Sequence, residues 1–387
     1  MMVRRLILIA LIAVAASSCS VLRGLRMDGP NGPGLYSFEK RDHEMVVRGE
    51  RAFSFPEGRR ADWIDTLHFY AVKVGGKQYT LPEAMEFKSS SQGVMIFQHD
   101  SLVYERYMGS MTPDRLATVF SVSKSITSLL CGIAVDEGYI RSIDDPVTDY
   151  IPELLKKDPH WQRLTVRHLL DMQSGLDFDD SYSLNLKNFK RVRAIARLNY
   201  GHDVMGQVRG LKFRCEPGTE YFYESMTSQI LGIVIERATQ RPFTEYLSEK
   251  VWKPLEMESD AAVNVDKHGV PQSFGGISLT MKDLAKIGRL YLHGGVWNGR
   301  RIVSEEWIRL STAYDTGNHG YHFNWYNTGS FGMQKPAHPG FYALGIKAQV
   351  LYVNPDRDLI MVRVGQTTME PAFVPELFEE LANVWPE

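Results

Sequence analysis

A serine and a lysine three positions apart stand at the start of a helical pattern, where they could form a nucleophile and its base. Ser121 and Lys124 precede apolar residues at helical spacing, namely Ile126, Leu129, Leu130 and Ile133. This spacing brings both side chains onto one helix face, so the amine can reach the hydroxyl. A lysine can remove the serine proton only if burial lowers its pKa toward neutrality. The helix N-terminus adds backbone N–H groups near a developing oxyanion.

The sequence around this pair is more specific than the pair alone, since serine often begins a helix beside a solvated lysine. It runs from Phe120 to Ser128 and continues through Glu137-Gly138-Tyr139-Ile140 to Asp144-Asp145-Pro146-Val147. This stretch of sequence resembles the serine β-lactamase and penicillin-binding-protein superfamily. Within it, the resemblance is nearest to the class C enzymes and the related esterases, D-peptidases and 6-aminohexanoate-dimer (nylon-oligomer) hydrolases. The resemblance extends from about residue 90 to the C-terminus.

A tyrosine motif follows further along the chain. Tyr223-Glu224-Ser225 stands just before a second helical stripe that begins at Ile230. It matches the Tyr-x-Asn or Tyr-x-Ser element of the superfamily. The resemblance implies that Tyr223 exchanges protons with Ser121, the leaving group and the hydrolytic water, while Ser225 hydrogen-bonds near Lys124 or the substrate. A buried aromatic residue at a helix entrance is the alternative interpretation, but it does not explain the order of the three motifs.

The third element of the superfamily, Lys-Thr-Gly or His-x-Gly on a strand beside the serine, is altered here. Counted back from the turn at Asn354-Pro355, the corresponding triplet is Ala343-Leu344-Gly345, which lacks the basic residue. In β-lactamases and D-peptidases that cation helps to bind the substrate carboxylate, so its absence speaks against a penicillin substrate more than against hydrolysis. Gly345 allows close backbone approach, and the resemblance makes the N–H of Ile346 the second oxyanion donor beside that of Ser121.

Other residues near these motifs have competing interpretations. His338-Pro339-Gly340 is a rival His-x-Gly triplet, but too many residues separate it from the Asn354 turn. Lys347 could supply a displaced cation, although a solvated edge-strand lysine is the preferred interpretation. His168 lies in a helical stretch, where a lone histidine is usually structural. Alternating aromatic residues fit an acyl pocket, and they fit core packing at least as well: Tyr321, Phe323, Trp325 and Tyr326.

Two β-hairpins and a helical middle predict the architecture. The first hairpin is Val94–Phe97 with Leu102–Tyr104, and the second is Gln349–Val353 with Leu359–Val362. Strands at both ends with helices between them predict an α+β fold, an antiparallel sheet flanked by helices with an inserted all-helical domain. The predicted sheet-containing domain comprises residues 51–115 and 265–387, and the predicted helical domain comprises residues 116–264.

The N-terminus has the layout of an export signal. Two arginines, an apolar run from Leu6 to Ala16 and small residues precede Cys19, which predicts a signal peptide over residues 1–18. Ala16-Ser17-Ser18-Cys19 resembles a bacterial lipobox, which implies a lipid anchor on Cys19 and a periplasmic or outer-membrane location. An ordinary signal peptide cut nearby is the alternative. Residues 19–50 contain Gly, Pro and Arg with little periodicity, which predicts a tether between lipid and domain.

Composition excludes some other classes of protein. The formal net charge of -2, from 44 basic and 46 acidic residues, provides no broad positive field for nucleic acid. No Cys/His spacing typical of a metal site is present, and the expected chemistry needs no cofactor. Cys131 and Cys215 could form one disulfide in an export compartment, but Cys131 also suits a compact core side chain.

The sequence therefore predicts a serine hydrolase that acts on an ester or amide through an acyl-enzyme on Ser121. A small ester, a linear amide or a D-residue peptide fits better than a β-lactam, because Ala343 replaces the usual cation. The alternative is a cell-envelope lipoprotein that keeps the fold but only binds or senses peptide ligands. The conjunction of Ser121, Lys124 and Tyr223 favours the enzyme, and the altered third element favours the binding protein.

Overall fold

Fifteen strands are present among the residues that the computed structural model describes, which are 19–71, 77–88, 90–179, 189–314, 317–330, 336–366 and 372–386. The predicted signal peptide, residues 1–18, lies outside them. In chain order the strands are β1 (His43–Val46), β2 (His68–Ala71), β3 (Lys77–Thr80), β4 (Ser91–Gln98), β5 (Ser101–Tyr107), β6 (Ala117–Thr118), β7 (Ala261–Asn264), β8 (Ile277–Leu279), β9 (Val296–Trp297), β10 (Arg300–Arg301), β11 (Tyr321–His322), β12 (Trp325–Asn327), β13 (Phe341–Gly345), β14 (Gln349–Asn354) and β15 (Leu359–Gly365).

The helices lie before, between and after these strands. In the described ranges the α-helices are α1 (Cys19–Asp28), α2 (Leu81–Glu83), α3 (Val122–Asp136), α4 (Val166–Leu170), α5 (Phe189–Tyr200), α6 (Val204–Arg209), α7 (Ser225–Thr239), α8 (Phe243–Leu247), α9 (Met281–Leu292), α10 (Glu305–Thr312) and α11 (Phe373–Val384). Short 3-10 or π turns cover Ser37–Lys40, Asp62–Thr66, Ala84–Lys88, Val147–Asp149, Pro152–Leu154, Pro159–Gln162, Ser248–Trp252, Gly317–Gly320, Ile346–Ala348 and Pro355–Arg357.

Both predicted hairpins are present, and they join in one sheet. The seven-stranded antiparallel sheet has the order β11-β12-β13-β14-β15-β4-β5, so β15 from the C-terminal hairpin pairs with β4 from the N-terminal one. Alternate residues of β4 face opposite sides, because side chains alternate along a strand. Met95 and Phe97 enter the core shared with α3 and α9, whereas Val94 and Ile96 enter a second core covered by α11. This arrangement confirms the predicted α+β class.

In the described residues of the inserted segment, the regular elements are helices except at its two ends. Residues 116–264 contain α3 to α8, and α3 packs against α7 and β13. The short strands β6 and β7 lie near its two ends and belong to a second sheet of order β1-β7-β8-β6. The segment is therefore not all-helical, because its ends pair with strands from outside it. The domain boundaries themselves stay a prediction.

The segment predicted to be a tether, residues 19–50, is folded, so that prediction is wrong. Helix α1 packs on α5 so closely that a Cβ added to Gly24 would lie 2.7 Å from the Tyr200 ring. The Tyr200 hydroxyl donates to Asp28 over 2.7 Å, and β1 pairs with β7. The helix and the strand of this segment thus pack on parts of the chain that are distant in sequence. Within the described ranges no helix is long and apolar enough to cross a bilayer.

The two cysteines of the folded body carry free thiols. Cys131 is fully buried in α3, and burial raises the pKa of its thiol. Cys215 is partly exposed. The disulfide that the sequence left open is absent, and Cys131 is a compact core side chain.

Stability should depend on pH through a buried carboxyl group between β14 and α11. The Tyr352 hydroxyl donates to Glu379 over 2.6 Å, and burial raises the pKa of Glu379 to about 7. The folded state then holds this proton at a pH where the unfolded chain, with an ordinary pKa of about 4.3, has lost it. The stabilising contribution is complete below that ordinary pKa and is lost as the pH rises through about 7.

We expect Glu379→Gln to remove this part of the pH dependence. The free energy of unfolding of both proteins is measured with urea at about pH 5 and about pH 8. Between these two conditions the value for wild type should fall by on the order of 2 kcal/mol more than the value for the variant. Equal losses in the two proteins would show that Glu379 does not retain its proton on folding.

Candidate active site

The start of α3 places Ser121 in a constrained position. Phe120, directly before it, has φ = +48°, a left-handed conformation that costs a non-glycine residue on the order of 1–3 kcal/mol and is often found at functional sites. The Phe120 side chain is buried, and its carbonyl accepts from the Ser123 amide over 2.8 Å. Apolar side chains then anchor α3 in the main core: Ile126, Leu129, Leu130 and Ile133. The burial of α3 thus holds the serine at the helix entrance.

The predicted nucleophile and base are in hydrogen-bond contact. The Lys124 Nζ atom lies 2.8 Å from the Ser121 Oγ atom, as expected for residues one helical turn apart. Lys124 is only 1% exposed. Its amine also donates to the Ser225 hydroxyl over 3.2 Å and to the Phe274 carbonyl over 2.9 Å. Three oxygens from different parts of the chain therefore fix the lysine nitrogen beside the serine.

Tyr223 joins this cluster from the loop before α7. Its ring centroid lies 5.2 Å from the Lys124 Nζ atom. The ring packs edge-on against Tyr321 at 5.8 Å and almost parallel to Tyr326 at 6.4 Å. The structure thus brings Ser121, Lys124 and Tyr223 together, although they come from two separate motifs.

A buried carboxylate holds the tyrosine loop in place. Glu224 is 1% exposed and accepts a short hydrogen bond from the Ser174 hydroxyl. Ser174 Oγ also accepts from the Leu176 amide over 3.1 Å, and the Phe222 amide donates to the Met172 carbonyl over 2.8 Å. Residues 172–176 therefore support the Tyr-Glu-Ser loop. The sequence identified the Tyr-Glu-Ser motif but not this contact.

The end of β13 lies close to Ser121. A Cβ atom added to Gly345 would lie 2.4 Å from the Val119 carbonyl oxygen and 3.2 Å from the Ser121 amide nitrogen. Glycine is therefore required by space at this position. Ile346, the predicted second oxyanion donor, follows at once, so its backbone starts from a residue in contact with the serine.

The position of the missing cation is closed. Ala343 is fully buried and faces the main core that contains α3. Lys347 is only partly buried, and burial lowers the pKa of its amine while the charge of Asp28 acts in the opposite direction.

The two histidines considered from the sequence lie elsewhere. His168 Nδ1 accepts from the Thr165 amide over 3.3 Å, within the N-terminal cap of α4. His338 pairs with Asp356 over 3.3 Å, and its carbonyl accepts from the Asn354 side chain. Gln349 and Asn354 are the first and last residues of β14, and it is Gln349 that pairs with Gly345. The rival His-x-Gly triplet therefore lies at the far end of the hairpin from Ser121.

The alternating aromatic residues divide into two groups. Phe323 and Trp325 are almost fully buried and pack in the core against Trp307 and Tyr291. Tyr321 and Tyr326 instead contact Tyr223. The core interpretation applies to the first pair, and the second pair borders the site.

One site group carried no usable sequence signal. Phe274 contributes its backbone carbonyl to Lys124, and the neighbouring Ser273 carbonyl accepts from Thr127 over 2.8 Å. In the described residues no group of three or more His, Cys, Asp or Glu side chains could hold a metal ion.

Comparison with known proteins identifies the family. A model of the beta-lactamase family matches residues 83–383. The 6-aminohexanoate-dimer hydrolase of Paenarthrobacter ureafaciens is 27% identical over 297 residues, which cover 72% of this chain and 73% of that protein. A solved structure from Bacillus anthracis, provisionally named a 6-aminohexanoate-dimer hydrolase, superposes with a TM-score of 0.77 at 19% identity over 94% of both chains.

A second solved structure extends the similarity in fold. The octameric penicillin-binding protein homologue from Pyrococcus abyssi has a TM-score of 0.57 at 21% identity, covering 78% of this chain and 74% of that one. These structural matches support the fold, and the family match covers the Ser121, Tyr223 and Gly345 motifs. The chain belongs to the beta-lactamase family, and it is a serine hydrolase.

Proposed function

We propose that this hydrolase cleaves a linear amide or an ester in two steps through an acyl-enzyme on Ser121. The observation that carries the proposal is the 2.8 Å contact between Lys124 Nζ and Ser121 Oγ. A buried amine at this distance can accept the hydroxyl proton as the oxygen attacks a carbonyl carbon. The proposal further assigns the amides of Ser121 and Ile346 to the oxyanion.

The proton in this mechanism passes from nucleophile to leaving group. Lys124 takes it from Ser121 when the carbon–oxygen bond forms. Tyr223, which lies against Lys124, delivers its proton to the departing amine or alcohol as the scissile bond breaks, and Lys124 passes the serine proton on to Tyr223. In the second step water gives its proton to the same pair, attacks the acyl carbon and releases the acid, while the proton returns to Ser121. No net proton is consumed within the site.

A linear substrate is favoured over a β-lactam. The relative from Paenarthrobacter ureafaciens is named for hydrolysis of the 6-aminohexanoate dimer, whose two units are joined by an amide. The site also differs from β-lactamases in its third element, because the buried Ala343 replaces a carboxylate-binding cation. A cyclic substrate that depends on that anchor would lose a charge-assisted hydrogen bond.

A substrate panel tests the proposed class. Purified protein and Ser121→Ala are compared on 6-aminohexanoate dimer, short D-residue peptides, p-nitrophenyl esters and a chromogenic β-lactam. We expect Ser121-dependent turnover of a linear amide or ester, with the β-lactam the poorest substrate. Preferential turnover of the β-lactam would contradict the assigned class. Equal ligand binding by both proteins without any turnover would instead support the binding-protein alternative.

Replacing Tyr223 should affect substrates according to their leaving groups. Tyr223→Phe keeps the ring packing against Tyr321 and Tyr326 but removes the proton donor. We expect kcat/KM to fall about 10²- to 10³-fold for an amide. The loss should be much smaller for a p-nitrophenyl ester, because nitrophenolate leaves without protonation. An equal loss for both substrates would contradict a proton-transfer role.

We also propose that the protein is an exported lipoprotein anchored through Cys19. The proposal rests on the lipobox-like sequence before Cys19. Since α1 begins at this residue and packs on α5, the anchor would hold the folded body close to the bilayer. Mass measurement of the mature N-terminal peptide tests this: a diacylglyceryl adduct on Cys19, absent from Cys19→Ser, is expected. An unmodified N-terminus beginning at another residue would contradict it.

A further inference from the structure

Two buried polar side chains bind three consecutive carbonyl groups next to the proposed oxyanion site. Gln349 Nε2 donates to the Ile346 carbonyl over 3.2 Å. Arg363 Nη1 donates to the Lys347 carbonyl and to the Ala348 carbonyl, the latter over 2.7 Å. Both Gln349 and Arg363 are fully buried. We call this pair of side chains the carbonyl clamp.

The turn that the clamp holds has an unfavourable backbone conformation. Lys347 has φ = +63° and Ala348 has φ = +53°, in the left-handed region that non-glycine residues seldom adopt. Two such residues in succession persist only when the surroundings impose them. The turn begins immediately after Gly345, where an added Cβ atom would lie 3.2 Å from the Ser121 amide nitrogen. Its conformation therefore determines the direction in which the Ile346 N–H points.

The clamp is itself fixed by the neighbouring strands. Arg363 Nε donates to the Ser91 hydroxyl at the start of β4 over 2.8 Å. Gln349 accepts from the Gly365 amide over 2.9 Å and donates to the Gly365 carbonyl over 2.8 Å. A side chain on Gly365 would collide with the guanidinium group. The clamp thus connects β4, β14 and β15 to the turn as one rigid unit.

Burying a guanidinium group to hold a turn is unfavourable, because the charged group loses its contact with water. Desolvation lowers the pKa of Arg363 to about 9, so the group remains charged at neutral pH and its burial opposes folding. Charged donors form stronger hydrogen bonds to carbonyl oxygens than neutral donors do. The unfavourable burial of this guanidinium is explained if the reaction depends on the orientation of the turn.

We propose that Arg363 and Gln349 are positioning residues for hydrolysis: by clamping the 346–348 turn they aim the Ile346 amide at the oxyanion. This inference rests on the proposed acyl-enzyme mechanism at Ser121. Neither side chain needs to touch the substrate. Loss of the clamp should therefore weaken stabilisation of the transition state while leaving ground-state binding nearly intact.

The test uses Gln349→Met and Arg363→Met in the full chain, with Asn354→Leu as a matched control. Asn354 is equally buried on the same strand and also donates to a backbone carbonyl, that of His338, but at the other end of β14. Each protein is assayed for kcat and KM on a p-nitrophenyl ester and on the matching thionoester. The rate of fluorophosphonate labelling at Ser121 and the melting temperature are measured in parallel.

We expect each clamp variant to lower kcat and the labelling rate about 10- to 100-fold, with KM changed less than threefold. Because sulfur is a poorer hydrogen-bond acceptor than oxygen, the loss should be smaller for the thionoester. The control should lose stability without this pattern. Arg363→Lys should restore part of kcat, since it keeps a charged donor.

The outcomes separate this inference from the proposed function. If wild type is labelled at Ser121 but clamp variants react as fast as Asn354→Leu, the clamp inference is overturned and the function stands. Equal losses for ester and thionoester, or losses that follow the melting temperature in all variants, also overturn it. If wild type is not labelled at all, the proposed function fails first. Should Arg363→Met not fold, Gln349→Met decides the result.

Discussion

Replacing Ser121 with alanine is expected to abolish hydrolysis, with kcat/KM falling by about 10⁴-fold or more. In the proposed mechanism the hydroxyl oxygen forms the acyl bond, so no other group in the cluster can substitute for it. Burial of α3 is unaffected by the change, because the serine stands just before the helix and its side chain contributes no core packing. Steady-state kinetics on the best substrate of the panel, with the melting temperature as a check on folding, measures the effect.

A second serine on the same helix provides the control for this experiment. Ser128 lies two turns after Ser121 and is fully buried. Ser128→Ala also removes a serine hydroxyl group, but one that lies away from Lys124. Its kcat/KM should remain within about twofold of wild type, since substitutions away from the reacting atoms have small effects. Hydrolysis that survives Ser121→Ala but not Ser128→Ala would contradict the assignment.

Lys124→Met should produce the second largest loss, about 10³-fold or more in the rate of Ser121 acylation. Methionine fills nearly the same volume without the amine. The buried position therefore stays packed, while the proposed base at 2.8 Å from the serine oxygen is removed. The loss should be in kcat and in the labelling rate. A pre-steady-state burst with a p-nitrophenyl ester separates acylation from deacylation.

Lys286 allows a matched comparison for the lysine. It is fully buried, donates to the Glu256 carbonyl over 2.9 Å and pairs with Asp283 over 3.1 Å. Lys286→Met leaves Asp283 without this partner and should lower the melting temperature, because an uncompensated buried charge destabilises the fold. It should leave kcat nearly unchanged. If Lys286→Met slowed acylation as much as Lys124→Met, the Lys124 effect would be structural.

The parts of the site that were predictable from sequence are those with local geometry. Ser121 and Lys124 are one helical turn apart, so their contact follows once the helix is recognised. The two hairpins follow from strand alternation and their turn residues. The superfamily resemblance added Tyr223 and the Gly345 triplet, whose partners lie far away in the chain.

The parts that were not predictable depend on backbone atoms and distant pairing. The Phe274 carbonyl binds Lys124, but a backbone oxygen is common to all residue types and leaves no pattern. Glu224 occupies the variable middle position of the Tyr-x-Ser motif, so the sequence did not indicate its buried contact with Ser174. The sequence predicted a tether over residues 19–50 because the partners of β1, which are β7 and α8, lie more than half the chain away.

The altered third element also becomes clearer in the structure. From the sequence, Ala343 was only a missing cation. Its methyl group occupies a fully buried site in the main core, so a lysine there would have to carry its charge out past packed side chains or remain buried without water. The chain is therefore packed for a small residue at this position. This agrees with a substrate that does not need a carboxylate anchor there.

The most direct test of the account is covalent labelling of the nucleophile. Mature protein is incubated with a fluorophosphonate probe, and its intact mass and tryptic peptides are measured. The account predicts a single adduct, mapped to Ser121, which is absent from Ser121→Ala and forms far more slowly in Lys124→Met. A fully active enzyme that gains no adduct, or gains it on a different serine with the same loss of activity, would contradict the central claim.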